Sequence, residues 1–429
     1  MVVTTRKGVH DIITDDWLIK TSTDTWRRGD DVNIGVVHWS YLPTIGGVET
    51  HLATICPEMA KLGTEVYLLT SRRKGTPDRE GNLMNVTCSD ILDTALLESM
   101  KERGQAIPDY ARPVFMDFLT GNGIDVVHAH NLHMDYFPVS KTLVDMCHER
   151  GVPCVLILHN DVFIDRDEAE MTRILTEVDW DKLVAISNFV KDSVQRRVPA
   201  IPEEKLQIIL HGIDTDSFFP ANRVEKEELK RQYGFVNNRV VLHTARFLRW
   251  KGIIPAIQSL PAIIERFPDV KMVLTGRKER VSKEDLKQYE QEIDRTIVEL
   301  GLEKNVHIGM YSYSDIPRLT RLADVVIYTT IGDEPFGLVP VEAMASGVPT
   351  IVTRSGGLIE GVVDGETGFI IDKDEQTIPA QLATRIVELF SHEGLAGEVG
   401  SAGRRRAVEV FDKERMAADL IHLSNSLVS

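Results

Sequence analysis

Cysteine is scarce in this chain: four residues, Cys56, Cys88, Cys147 and Cys154, among 429. They stand far apart with no C-x-x-C spacing, which excludes a disulfide framework and predicts a cytoplasmic, reducing environment. Long apolar runs are also missing. No stretch approaches 18 uninterrupted apolar residues, and Met1 to Asp31 is polar and acidic, so the sequence predicts neither a membrane span nor a signal peptide. Positive charge is in deficit, with 49 Lys and Arg against 65 Asp and Glu and a formal net charge of −16. An acidic chain without basic clusters binds phosphate polymers poorly, so no nucleic-acid partner is expected. What is present suffices for sizeable cores: 43% of the residues are hydrophobic, which excludes global disorder. At roughly 150 residues per domain the length predicts two or three domains.

Short β-branched runs alternate with segments of helical period. Asn33 to His38, Glu65 to Thr70, Asp125 to His130, Pro153 to His159, Leu183 to Ile186 and Gln207 to His211 read as strands. After a polar stretch, Ala221 to Asn238, the pattern restarts with Val240 to Thr244, Lys271 to Thr275, Val306 to Ile308, Asp324 to Tyr328 and Pro349 to Thr353. The alternation predicts an α/β protein of two Rossmann-like, doubly wound domains facing a central cleft. The expected divisions are an extension at 1–31, a first domain at 32–208, a second at 209–408 and a terminal helical segment at 409–429. Ligands of open α/β sheets bind beyond the carboxyl ends of the strands, so chemistry is expected at the residues that end these runs.

Two carboxylates eight positions apart, Glu334 and Glu342, flank a loop that opens into a helix. Gly337 and Leu338 would present backbone N–H groups at that helix N-terminus, a ready anion site. Spacing alone leaves open a solvated loop glutamate and a helix glutamate at its favourable dipole end. Arg246 and Lys251 follow the first strand of the second domain, where two cations can neutralise a diphosphate leaving group. Gly46-Gly47, between the first strand and the first helix, lets backbone approach a ligand closely or simply makes a tight turn. His159 stands where its strand leaves the core.

The ordered set of Gly46-Gly47, His159 with Asp161, Leu210-His-Gly-Ile-Asp214, Arg246 with Lys251, and Glu334 to Glu342 followed by Met344-Ala-Ser-Gly-Val-Pro349 resembles the family 4 retaining glycosyltransferases of the GT-B fold. The resemblance covers nearly everything from Asn33 onward. It implies transfer of a sugar from a nucleotide diphosphate sugar with retention and with no metal or other cofactor. By that resemblance Arg246 and Lys251 stabilise the departing phosphates, Glu334 holds donor-sugar hydroxyls and His159 contacts the sugar near the reacting carbon. Phe336, Gly337 and Leu338 touch sugar and diphosphate through their backbone, Glu342 binds the ribose, and Gly46 and Gly47 lie under the phosphates. A C-terminal helix crossing back to the first domain is also implied. His211 replaces the asparagine that relatives often carry, so the turn is expected to survive with altered contacts, or to gain a pH-sensitive one.

Base rates in the family favour a UDP-hexose or UDP-N-acetylhexosamine donor, read near Thr275 to Lys278 and Gly309 to Ser312. Residues 1–205 hold 22 Lys and Arg against 32 Asp and Glu, a net of −10. Asn131, His133, Asp135 and Asp161, with Asp165, Asp167, Glu168 and Glu170, surround the expected acceptor mouth. That rim suits a small, soluble and cationic acceptor, such as an amino sugar or aminocyclitol, or is plain solubility charge. A phosphorylase or hydrolase on the same scaffold and a non-catalytic sugar-nucleotide sensor are the rival readings. A dehydrogenase is excluded because no G-x-G-x-x-G with a following ribose-binding acid comes after the first strand.

Overall fold

The computed structural model describes residues 32–80, 83–133, 137–160, 168–276 and 283–428. The extension at 1–31 lies outside them, as do Asp135, Asp161, Asp165, Asp167 and the Arg277-Lys278 pair. From Val32 to the C-terminus the chain forms one contact unit that holds two sheets.

The first sheet consists of β1 (Ile34–Val37), β2 (Val66–Thr70), β3 (Arg79–Glu80), β4 (Met84–Cys88), β5 (Val126–His130), β6 (Cys154–Leu158), β7 (Lys182–Ala185) and β8 (Leu206–Ile208). Their order is β3-β4-β2-β1-β5-β6-β7-β8, and all pairs are parallel except β3 with β4. The second sheet consists of β9 (Arg239–Thr244), β10 (Val270–Thr275), β11 (Val306–Gly309), β12 (Val325–Tyr328), β13 (Thr350–Thr353) and β14 (Phe369–Ile371), ordered β11-β10-β9-β12-β13-β14 and wholly parallel. Strands such as β1 and β6 are buried along their whole length. Helices cover both faces of a parallel sheet, which is why these strands read as unbroken apolar runs.

Periodicity misses β4 and β14. β4, Met-Asn-Val-Thr-Cys, lies next to the sheet edge with only Met84 and Val86 buried, and β14 is a three-residue edge strand. β4 is partly polar, and β14, though wholly apolar, is too short to register as a run.

In each sheet the strand order reverses at the first strand. β1 lies between β2 and β5, and β9 lies between β10 and β12. Such switch points open crevices at the strands' carboxyl ends. The loop that leads from β1 to helix α1 (Gly47–Lys61) and the Arg246–Lys251 loop therefore stand at the two crevices.

The sheets are tied together at 211–216. Ile213 N–H donates to Phe411 O at 2.8 Å, and Lys413 N–H donates to Ile213 O at 3.0 Å. The Lys413 ammonium donates to Asp214 and Asp216 at 2.6 and 2.7 Å. The helix Lys413–Val428 packs along α1, and Ser424 Oγ lies 2.9 Å from His128 Nε2. No helix among the described residues is long and apolar enough to cross a membrane.

Candidate active site

On the second sheet Lys251 is aimed by its turn. Gly252 adopts φ 66°, and a Cβ there would run into the Thr329 carbonyl oxygen, so the turn lies flush on the end of β12. Trp250 O accepts from Ile331 N–H at 2.7 Å and from Thr330 Oγ1 at 2.9 Å, which locks the two loops together. The Lys251 ammonium, buried, then sits 2.5 Å from both Tyr328 Oη and Glu334 Oε2. Trp250 packs its ring 3.8 Å from the same ammonium. Burial lowers the lysine below its ordinary range, the Glu334 carboxylate pulls the other way, and the Arg246 charge adds to the lowering. Burial, then Glu334, raises Tyr328 well above the usual phenol range, so its hydroxyl remains protonated. Arg246 is exposed at the same edge.

Glu334 is held by backbone. Gly357 N–H donates to its carbonyl at 2.8 Å, and its own N–H donates to Ser355 Oγ at 3.3 Å. Gly356, with φ 48°, approaches so closely that a Cβ would overlap the Glu334 backbone. Gly337 caps the helix Leu338–Ala345 at φ 89°, where a Cβ would strike Leu358. The amides of Leu338 and Val339 begin that helix. Glu342 lies on it, partly exposed as a residue but with its carboxyl enclosed, and burial pushes that carboxyl up to about 7. The Phe336 ring points away from this edge, stacked on His211 at 5.5 Å and edge-on to Phe411. This leaves its backbone, not its ring, for contact at the cleft.

On the first sheet, His130 ends β5 and His159 follows β6. Because the strands are adjacent and parallel, His130 Nδ1 meets His159 Nε2 at 2.8 Å. Asn131, left-handed at φ 53°, accepts the His159 N–H on its Oδ1 at 2.8 Å. Its side-chain oxygen is thus engaged in positioning His159. His133 is also fully buried. His51 of α1 lies 4.8 Å from the His159 ring and 4.3 Å from His211. Burial lowers His211 to about 4, with its Nδ1 3.4 Å from the Gly212 carbonyl oxygen. Gly46 is extended, and the place of its missing Cβ is taken by the Glu49 side chain, which accepts from Ser40. Gly47 has open space before it.

Two groups are thus assembled: Lys251, Tyr328 and Glu334 on one side, and His51, His130 and His159 on the other. His211 and Phe336 lie between them. The sequence reading omits Tyr328, His51 and His130. Their signal is a polar or phenolic residue ending a buried strand, or a histidine on the apolar face of a helix beside Leu52 and Ile55. A groove of 660 Å³ opens beyond β5 and β6, lined by Lys101, Phe137, Glu170 and Arg173 among others. Glu170 accepts from Phe137 N–H at 3.1 Å, and Arg173 covers the Phe137 ring at 3.8 Å. The described wall therefore carries two cations beside its one carboxylate and is not uniformly acidic.

Two parallel sheets with their reversal points at strand ends, flanked by helices, and a lysine–glutamate pair beside a helix N-terminus define a GT-B glycosyltransferase. The chain matches Glycosyl transferases group 1 over residues 225–406 and Glycosyltransferase Family 4 over residues 45–217, and it belongs to the family 4 glycosyltransferases. It is 30% identical to spore coat protein SA of Bacillus subtilis over 276 residues, 62% of this chain and 71% of that protein. It is 27% identical to the alpha-maltose-1-phosphate synthase of Mycolicibacterium smegmatis over 253 residues, 57% of this chain and 62% of the synthase. The crystal structure of Anabaena HepE in complex with UDP and glucose shares the fold at a TM-score of 0.73 and 20% identity, covering 92% of this chain and all of that one.

Proposed function

We propose that the chain is a retaining glycosyltransferase that moves a hexose or N-acetylhexosamine from its UDP conjugate to a hydroxyl of a small acceptor, without a metal. The observation that carries this reading is the buried Lys251–Glu334 pair at the carboxyl end of β9 and β12. A charged lysine held in a low-dielectric wall stabilises a developing phosphate charge far better than one in water. In this reading Lys251 turns from Glu334 to the diphosphate, Arg246 closes over it from the edge, and the Leu338 amide faces the phosphate. Glu334, released, accepts donor-sugar hydroxyls, and Glu342 accepts those of the ribose. His159, oriented by Asn131, lies at the sugar. The acceptor oxygen forms its bond to the anomeric carbon as the carbon–phosphate-oxygen bond breaks. The bonding pair leaves on the diphosphate, and the acceptor proton passes to a phosphate oxygen. The UDP held by HepE supports the choice of base. The net of −10 over residues 1–205 favours a cationic acceptor such as an amino sugar or aminocyclitol, and the scarcity of cysteine favours action in the cytoplasm.

A thermal-shift panel of UDP, GDP, ADP and their common sugar conjugates tests the donor site, because a ligand that binds the native state raises Tm. A selective rise with a UDP-sugar that shrinks in Glu334→Ala is expected. A GDP- or ADP-selective rise would replace the base, and no rise with any nucleotide would sink the reading.

A further inference from the structure

His51, His130 and His159 are all buried, and each brings a ring nitrogen within 4.8 Å of the others. Packing alone does not account for them. The rings contact one another, with His130 and His159 stacked at 5.1 Å and His51 tilted against both, but apolar rings would fill the same space without enclosing polar atoms. Both nitrogens of His51 and Nδ1 of His159 have no hydrogen-bond partner among the described residues. Buried polar atoms are nearly always satisfied, so orphaned ones call for an occupant.

We propose that His51, His130 and His159 form a binding site for one divalent transition-metal ion, zinc or cobalt, and that an ion held there inhibits sugar transfer. The inhibition rests on the function proposed above, which places His159 at the donor sugar; the ion binding does not. Imidazole is a preferred ligand of these ions, and three histidines with an open fourth position make a common zinc set. A tetrahedral ion at about 2.1 Å from each nitrogen sets the nitrogens about 3.4 Å apart, so those separated by up to 4.8 Å close by small ring rotations. Burial, followed by repulsion from neighbouring histidines, holds all three well below the ordinary histidine range, so each ring offers a lone pair at neutral pH. His211, its ring centroid 4.3 Å from that of His51, flanks the trio. An ion drawing on His130 and His159 breaks their mutual hydrogen bond and holds His159 away from a sugar.

The test is titration of the chelator-stripped full chain with cobalt(II) alone, followed by visible ligand-field absorption and equilibrium dialysis. One saturable ion per chain with imidazole-type bands is expected. His51→Asn and the apolar His51→Leu, each checked for a native melt, should weaken it by at least about tenfold. Absence of saturable binding in the unmodified chain would overturn the proposal, and so would unchanged binding in whichever His51 variant folds. Because the readout needs no nucleotide, its failure leaves the donor-site reading standing, and a failed nucleotide panel leaves the ion site standing.

Discussion

Among the described residues Lys251 has one carboxylate partner, Glu334. Its side chain is 6% exposed and that of Glu334 14%, so each desolvates the other and neither is supported by bulk water. Lys251→Ala is expected to lower turnover by about 10²–10³, as loss of a preorganised charge-stabilising donor does, measured as UDP release from the donor. It should also cost about 1–3 kcal/mol in stability, because Glu334 is left enclosed without its partner, and Lys251→Ala/Glu334→Gln should recover much of that loss without recovering activity. Glu342 gives a pH dependence. Its folded value of about 7 lies above the ordinary 4.5, so burial penalises the ionised form. That penalty is absent below about pH 4.5, grows as pH rises and is complete above about pH 7, where it reaches at most about 3 kcal/mol. Glu342→Gln should therefore raise Tm above pH 7 and have no such advantage below pH 4.5. In the proposed reading ribose hydroxyls donate to the ionised carboxylate, and on that reading UDP affinity should rise by about tenfold from pH 6 to 8. Calorimetry on the Gln variant should show weaker binding without this slope.

At the scale of elements, the site depends on where turns put strand ends. The turn Arg249–Lys251 is held to β12 by the Trp250 carbonyl and by the close passage of Gly252 under Thr329. Gly252→Ala combines a left-handed backbone with a direct overlap, and is expected to cost about 2–4 kcal/mol in denaturant unfolding. The survivors of folding should show Lys251 displaced, with turnover lost more than donor affinity. The strands that carry the site were legible because they are central and buried on both faces. β4 and β14, at or near the edges, were not. The loop from Glu334 to Leu338 was legible as a glycine-containing helix start, but its tight seat on Gly356 and Gly357 was not, since nothing local in 334–338 specifies its neighbour.

For the whole molecule, polar contacts span the two sheets' elements. Ser187 Oγ donates to Pro335 O at 2.6 Å, and Glu360 accepts from the N–H groups of Asn188 and Phe189 at 2.8 and 2.7 Å, at the start of the helix Asn188–Arg197. Arg404 donates to the carbonyls of Thr215, Phe218 and Ala345, bracing the junction. The Glu360 contacts to Asn188 lie at an exposed position, whereas the Lys413 ammonium is itself buried, and exposed contacts open more readily than enclosed ones. Glu360→Ala should therefore enlarge the radius of gyration of the free chain in small-angle scattering, and a bound nucleotide sugar should reduce it again. An equal radius in all four states would refute closure about this junction.

Sequence by itself determined the strand alternation, the positions that end each central strand and the spacing of Glu334 from Glu342, because these follow from local periodicity and turn chemistry. It also marked Arg246, Lys251 and His159 as polar residues at strand ends. Only the tertiary structure decided that Lys251 spends its charge on Glu334 and Tyr328, that Asn131 braces His159, and that His51, His130 and His159 meet. Those contacts join residues 28 to 108 positions apart, brought together by the parallel register of neighbouring strands and by the packing of α1 over them, and no local pattern encodes which distant side chain will fill a given place.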